Sequence, residues 1–166
     1  IFKKIAKENN ILFYNREKKL ATDKSTNDEF TLDFMQKIKG DILIQILPTS
    51  PLITALEINN FVKEMLDKNL DTLISVEEKK IASVFNNKPI NFNKIKKNPP
   101  SQLMEPIKAY ATVLMGWRYK SFITNMKNFK AAYHGGKGLT GFFTLKLPFN
   151  NDIIILYQNY FNLQTK

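Results

Sequence analysis

A chain of 166 residues with 43% hydrophobic and 12% aromatic residues is long enough to bury one sizeable core, and its 24% charged residues, of mixed sign, exclude a disordered, solvent-swollen chain. No run of about eighteen apolar residues occurs and charges interrupt residues 1–10, so neither a membrane helix nor a signal peptide is expected, and the protein reads as soluble and cytoplasmic. The lack of cysteine excludes disulfides, thiolate metal sites and a cysteine nucleophile. The formal net charge of +10 comes from lysines spread along the whole chain, which argues against a single basic face for nucleic acid.

In chain order, Ile11-Leu12-Phe13-Tyr14 predicts a short buried strand. Thr26-Asn27-Asp28-Glu29 is a capping box, after which Phe30, Phe34 and Ile38 recur at helical spacing until Gly40. Residues 41–46 (DILIQI) predict the second strand, broken by Pro48-Thr49-Ser50-Pro51. Thr54 and Glu57 then open a helix expected to bury Ile58, Phe61, Val62, Met65 and Leu66. Residues 71–76 (DTLISV) predict a third strand, so the first half reads as a β-α-β-α-β series with right-handed crossovers and parallel strands. Residues 81–85 and 89–92, flanking Asn86-Asn87-Lys88, predict a hairpin reaching away from the sheet, followed by a lysine-rich loop over 93–100. A strand over 109–115, a helix over 121–129, a glycine-rich turn over 134–138, a strand over 141–147 and a helix over 156–163 complete the reading. No internal repeat or Gly/Pro/Ser-rich linker divides the chain, so 1–166 is expected to be a single α/β domain with a mainly parallel sheet.

Ligands of open α/β sheets bind beyond the carboxyl ends of the strands, which directs attention to three loops. The first carries Arg16 and Asp23: a guanidinium that can grip phosphate bidentately and a carboxylate that can orient it, or else an ordinary surface ion pair. In the second, two prolines stiffen a turn that presents the hydroxyls of Thr49 and Ser50 just before a helix N-terminus, a geometry suited to phosphate or ribose. The third contains Asp152, a candidate ligand for Mg²⁺ or else a turn residue. His134, beside Gly135 and Gly136, reads as a turn residue, and Trp117 as core. Walker A, HExxH and GxSxG motifs are absent.

Taken in order, these loops resemble the acylneuraminate cytidylyltransferases, the CMP-sialic-acid synthetase-like family. Residues 44–52 (IQILPTSPL) look like that family's strand ending in Leu-Gln-Pro-Thr-Ser-Pro-Leu. Asn15-Arg16 through Leu20-Ala21-Thr22-Asp23 is similar to its Arg-Pro-x-x-Leu-Ala-x-Asp segment. Residues 101–107 (SQLMEPI) resemble its Ser-Gln-Asp-Leu-Glu-Pro segment, and Asn150-Asn151-Asp152-Ile153 falls where it has Ser-x-Asp-Ile-Asp-Thr. The resemblance implies a three-layer α/β/α nucleotidyltransferase fold of the nucleotide-diphospho-sugar transferase type, with a mainly parallel mixed sheet and a protruding hairpin. It also implies transfer of a nucleotidyl group from CTP to a nonulosonic (sialic-type) acid in cell-surface polysaccharide biosynthesis.

On the same basis Arg16, Asp23, Thr49 and Ser50 are expected on the nucleotide side, Gln102 and Glu105 on the sugar side, and Asp152 as the ligand of a Mg²⁺ cofactor. The partners implied are CTP, an acidic sugar and a second copy of the chain through the hairpin, with no nucleic acid and no membrane. The family begins with a strand and a Gly/Arg/Lys/Asn-rich loop that cradles the triphosphate, an element expected to be missing ahead of Ile1. Leu47, Ile53 and Ile154 depart from the family pattern, standing for a glutamine, an arginine and the second aspartate of the metal pair. The alternatives are a non-catalytic sugar-nucleotide-binding homologue and a 3-deoxy-manno-octulosonate cytidylyltransferase.

Overall fold

Two capping boxes start the helices that follow Thr26 and Thr54. The Thr26 hydroxyl accepts from the Glu29 amide at 3.2 Å while the Glu29 carboxylate accepts from the Thr26 amide at 2.9 Å, and Thr54 and Glu57 repeat this reciprocal arrangement at 3.2 and 2.9 Å. The computed structural model describes residues 1–48 and 50–145. Among them the elements are α1 (Phe2–Glu8), α2 (Asn27–Lys37), β1 (Ile42–Ile46), α3 (Ala55–Asp67), β2 (Thr72–Lys79), β3 (Val84–Phe85), β4 (Lys88–Pro89), β5 (Ile107–Arg118), α4 (Tyr119–Phe129) and β6 (Thr140–Thr144). The helix and the end of the strand expected beyond residue 145 lie outside the described residues, as do Asp152 and Thr49.

The protein is mixed α/β. The principal sheet has the order β1-β5-β2-β6, with β5 antiparallel to both of its neighbours and β2 parallel to β6. Strands β1, β2 and β6 therefore point one way and β5 the other. The expected β-α-β-α-β series of adjacent parallel strands is corrected in two places. β1 and β2 share a direction, but β5 is hydrogen-bonded between them, a long-range insertion that local patterning does not encode. The strand expected over residues 11–14 is not formed. Leu12 is 95% exposed, and Tyr14 instead sets its ring edge-on to Phe34 of α2, with centroids 5.0 Å apart. Four apolar residues satisfy a propensity rule, but no neighbouring strand supplies their backbone partners among the described residues.

Side-chain alternation sends helices to both faces of the sheet. On one face Met35 of α2 and Phe122 and Met126 of α4 bury Ile74, Met115 and Trp117; on the other Phe61 and Met65 of α3 bury Leu73 and Leu114, with Ile42 and Ile44 partly covered. Burying a Phe- or Leu-sized side chain contributes about 1.5–3 kcal/mol, so these two clusters supply the main drive to fold. Leu66, expected in the core, is 51% exposed because it falls on the outer side of α3. The helix expected to run to Gly40 ends at Lys37, where Ile38 turns to extended backbone. The hairpin expected around Asn86 forms: β3 and β4 pair through Asn86 (φ 47°) and Asn87 (φ 61°), left-handed residues suited to a two-residue turn. No helix among the described residues is long and apolar enough to cross a membrane.

Strand β5 is irregular at its centre. Ile74 pairs with Met115 but Val76 pairs with Tyr110, so residues 111–114 oppose Ser75 alone. Thr112 lies in the left-handed region at φ 53°, an uncommon conformation for a β-branched residue. Within this bulge the Leu114 amide donates to the fully buried Ser75 hydroxyl at 2.9 Å. At the opposite end of β2, Asp71 joins three elements. Its carboxylate accepts from the Ser121 hydroxyl of α4 and from the Leu139 amide at 2.9 Å, and its carbonyl accepts from the Arg118 amide at 2.9 Å.

Two measurements check this description. Ser75→Ala leaves the Leu114 amide buried without a partner, so urea unfolding of the variant should show a loss of about 1–3 kcal/mol. The Asp71 carboxyl is held below the ordinary aspartate value by the Ser121 hydroxyl, then the Leu139 amide and the Arg118 charge, against the opposing effect of burial. A depressed folded value contributes stability that is fully present above the unfolded value, about 3.9, and is lost as pH falls through the folded one. The urea midpoint of Asp71→Asn should accordingly fall less steeply than that of the parent below about pH 4.

Candidate functional site

The carboxyl ends of β1, β2 and β6 lie at one end of the sheet, together with the start of the opposed β5. At this end β1 passes into the proline-flanked turn. The Leu47 amide donates to the Val113 carbonyl at 3.1 Å, extending the strand pairing by one bond. The Ser50 amide then closes back on the Leu47 carbonyl at 3.3 Å. Ser50 is half-buried, three residues before Ile53 and four before Thr54, the cap of α3. The two prolines limit the backbone freedom of this turn, so its hydroxyl is held in place at little entropic cost.

Gln102 and Glu105 flank the other side of the same end. Gln102 is in a single turn of tight helix, Ser101–Leu103, and its carbonyl accepts from the Lys80 amine at 2.7 Å. The Glu105 carbonyl accepts from the Asn91 side-chain amide at 2.8 Å; Asn91 also bonds the Ile81 carbonyl at 2.8 Å and the Ser83 amide at 3.0 Å, which joins the base of the hairpin to the start of β5. The side chains of Gln102 and Glu105 are exposed and available to a ligand, while Met104 between them is buried.

Arg16 takes a different place. Its guanidinium carbon lies 5.2 Å from the ring centroid of Phe30, and Phe30 with Thr31, Phe34, Leu43, Ile44 and Gln45 lines an apolar pocket of about 210 Å³ between α2 and β1. Beside it Glu17 receives Lys37 at 2.6 Å and Lys19 at 2.9 Å, and Lys37 also reaches Asp33 at 2.8 Å while Tyr14 donates to Asp33. Hydrogen bonding to Asp33 and Glu17 pushes the Lys37 ammonium up, and hydrogen bonding from Lys37 and Tyr14 holds the Asp33 carboxyl down. These exposed contacts, weakened by solvent, hold the segment that carries Arg16 against α2. Asp23 is exposed and makes no ion pair among the described residues, so Arg16 and Asp23 are not a pair. Thr49 and Asp152 lie outside the described residues. Among the described residues no group of three His, Asp or Glu side chains comes together to hold a metal ion.

No model of a known protein family matches the chain, and no curated protein matches it.

The glycine-rich turn contains a spacing that the motif reading passed over. Gly136-Lys137-Gly138-Leu139-Thr140-Gly141 has the form G-x-G-x-x-G, but it leads into β6, whereas the dinucleotide fingerprint follows a strand and opens a helix. Its backbone is already engaged. The Lys137 amide donates to Asn125 at 2.8 Å and the Leu139 amide to Asp71 at 2.9 Å, and a Cβ added at Gly136 would meet Asn125 at 2.6 Å. This turn packs against α4 and is not a phosphate cradle.

A group that the sequence did not single out lies on the α2/α4 face of the sheet, at the site end. Tyr110 and His134 have ring centroids 5.5 Å apart, Tyr110 and Phe142 6.2 Å, and the Lys108 amine is 6.0 Å from the Phe142 ring. The turn holding His134 is fixed by Asp28 and Trp117. Asp28 accepts from the Ala132 and Tyr133 amides at 2.7 and 2.9 Å, Trp117 donates its indole N–H to the Tyr133 carbonyl at 3.0 Å, and the Tyr133 ring stacks at a tilt on Trp117 with centroids 4.9 Å apart. Burial pushes the Tyr133 phenol up, partly offset by Gln45. No local signal marked this group, since its members come from β5, β6 and the turn between α4 and β6.

Proposed function

We infer that this chain is a cytidylyltransferase domain of the acylneuraminate type, transferring CMP from CTP to a nonulosonic acid. The observation that carries the reading is the turn after β1. A stiff Pro-Thr-Ser-Pro segment at the carboxyl end of a strand opens a capped helix, at the same end of the sheet as Gln102 and Glu105. On this reading the helices on both faces correspond to the outer layers of a three-layer nucleotidyltransferase fold.

The reaction needs positioning and charge stabilisation more than covalent chemistry. The sugar's anomeric hydroxyl oxygen forms a bond to the α-phosphorus and gives up its proton to solvent, the bond from that phosphorus to the bridging oxygen breaks, and pyrophosphate leaves. Thr49 and Ser50 hold the nucleotide, Arg16 at the pocket rim meets phosphate, Asp23 borders the nucleotide, and Gln102 and Glu105 border the sugar. Mg²⁺ belongs to the reading through Asp152, and would offset charge on the phosphates; among the described residues no group of three His, Asp or Glu side chains comes together to hold it. The exposed Ile81, Val84, Phe85 and Ile90 give the hairpin an apolar surface for a second copy of the chain.

A second reading, a homologue that binds a sugar nucleotide without turnover, is favoured by Leu47 and Ile154, where the family pattern has a glutamine and an aspartate. Pyrophosphate release in the longest natural form of the protein, with CTP, Mg²⁺ and a panel of nonulosonic and 3-deoxy-octulosonic acids, decides between them. Release dependent on a nonulosonic acid is expected, and no release with any acid from folded protein would remove the enzymatic reading. Ile154→Asp raising a weak rate would show an otherwise intact site. In sedimentation the parent should run as a dimer and Phe85→Asp as a monomer.

A further inference from the structure

The β5 bulge changes which face of the sheet the start of that strand presents. Met115 and Trp117 face the α2/α4 layer, and strict alternation would send Lys108 and Tyr110 to the α3 side. Because residues 111–114 oppose Ser75 alone, the parity shifts, and Ala111 and Val113 join Leu114 on the α3 side while Tyr110 turns to meet His134 and Phe142. Left-handed backbone at a β-branched residue is strained and persists where the surroundings enforce it, often at a binding site. Here it brings together three rings, of which Tyr110 and Phe142 remain 43% and 42% exposed. The rings have polar neighbours on the same face: Lys108 beside Phe142, and Glu78, which accepts from the Thr144 hydroxyl at 3.2 Å and faces the Lys108 amine only distantly, at 4.0 Å.

We propose that His134, Tyr110 and Phe142, with Lys108, form a platform for the pyranose ring of a carboxylate-bearing sugar. The rings offer an apolar surface to the C–H face of the sugar, and the weakly engaged Lys108 ammonium meets its carboxylate. Glu78 and Thr144 accept from and donate to its hydroxyls. A purely apolar partner would leave Lys108, Glu78 and Thr144 without use, whereas a polyhydroxylated anion uses rings, amine and carboxylate together. The platform lies at the same end of the sheet as Gln102 and Glu105, three to six residues ahead of Lys108 in the chain, and its choice of an acidic sugar rests on the reading given under Proposed function.

The test uses the full chain, with N-acetylneuraminic acid, its methyl ester and cytidine monophosphate as separate probes in calorimetric titrations. The acid should bind more tightly than the ester. Tyr110→Ala should weaken the acid about tenfold or more, and Lys108→Gln should weaken the acid and leave the ester unchanged. Circular dichroism checks that Tyr110→Ala is folded; if it is not, the acid-to-ester ratio in the parent and in Lys108→Gln decides alone. Equal affinity for acid and ester, unchanged binding in Lys108→Gln, absence of binding by the acid, or weakening by Tyr110→Ala of the cytidine monophosphate only would each overturn the platform. Turnover is read separately. Binding by these rules without pyrophosphate release overturns the transferase reading alone, and release with an unchanged KM for the acid in folded Tyr110→Ala or in Lys108→Gln overturns the platform alone.

Discussion

The buried hydrogen bond from the Leu114 amide to the Ser75 hydroxyl is where the constraints on this fold meet. Strand β5 pairs with β2 in two stretches, Met115 to Trp117 and Ile107 to Tyr110, and the two are out of phase by an odd number of residues. An unbroken ladder cannot accommodate that, because a one-residue shift turns every side chain to the other face. The bulge absorbs the mismatch and leaves an amide without a ladder partner in the core. Ser75, with no exposed surface, supplies the acceptor, so a polar residue between the fully buried Ile74 and Val76 is required by backbone accounting.

That irregularity also divides the protein into two kinds of surface. Below the bulge, helices cover both faces of the sheet, and Asp71 bonds to the start of α4 and to the entry of β6, with the Arg118 guanidinium bonded to the Leu70 carbonyl at 2.9 Å. Above it the side chains of β2 and β5 meet solvent: Glu78, Lys79, Lys108 and Tyr110 are exposed and Glu77 is half-buried. A rigid lower half supporting an open upper end is the arrangement in which α/β proteins place binding sites.

Much of this was legible in the sequence, and the reasons differ by element. Both capping boxes and the Asn-Asn hairpin follow from chemistry confined to a few neighbouring residues, so they survive any tertiary context. β1, β2 and α3 were legible because their apolar periodicities are long or bounded by strong breakers. The strand expected over residues 11–14 was not formed, since four apolar residues do not create a pairing partner. Among the candidate site residues, the Ser50 turn, Gln102 and Glu105 share one end of the sheet, while Arg16 was drawn to Phe30 and away from Asp23 by packing on α2. The ring group of Tyr110, His134 and Phe142 had no sequence signature, because its spacing of 24 and 8 residues corresponds to no local period.

The sequence by itself determined where helices start, where the hairpin turns and that the chain mixes strands with helices, because propensity, capping and turn chemistry act over a few residues. Only the tertiary structure decided that β5 lies between β1 and β2, that its bulge needs Ser75, and that Tyr110 faces His134 and Phe142. Those outcomes depend on pairing between segments far apart in sequence, such as Ile74 with Met115, and on a change of parity within one strand. Register is a collective property of the whole sheet, and its energy is settled only when all the strands are present together.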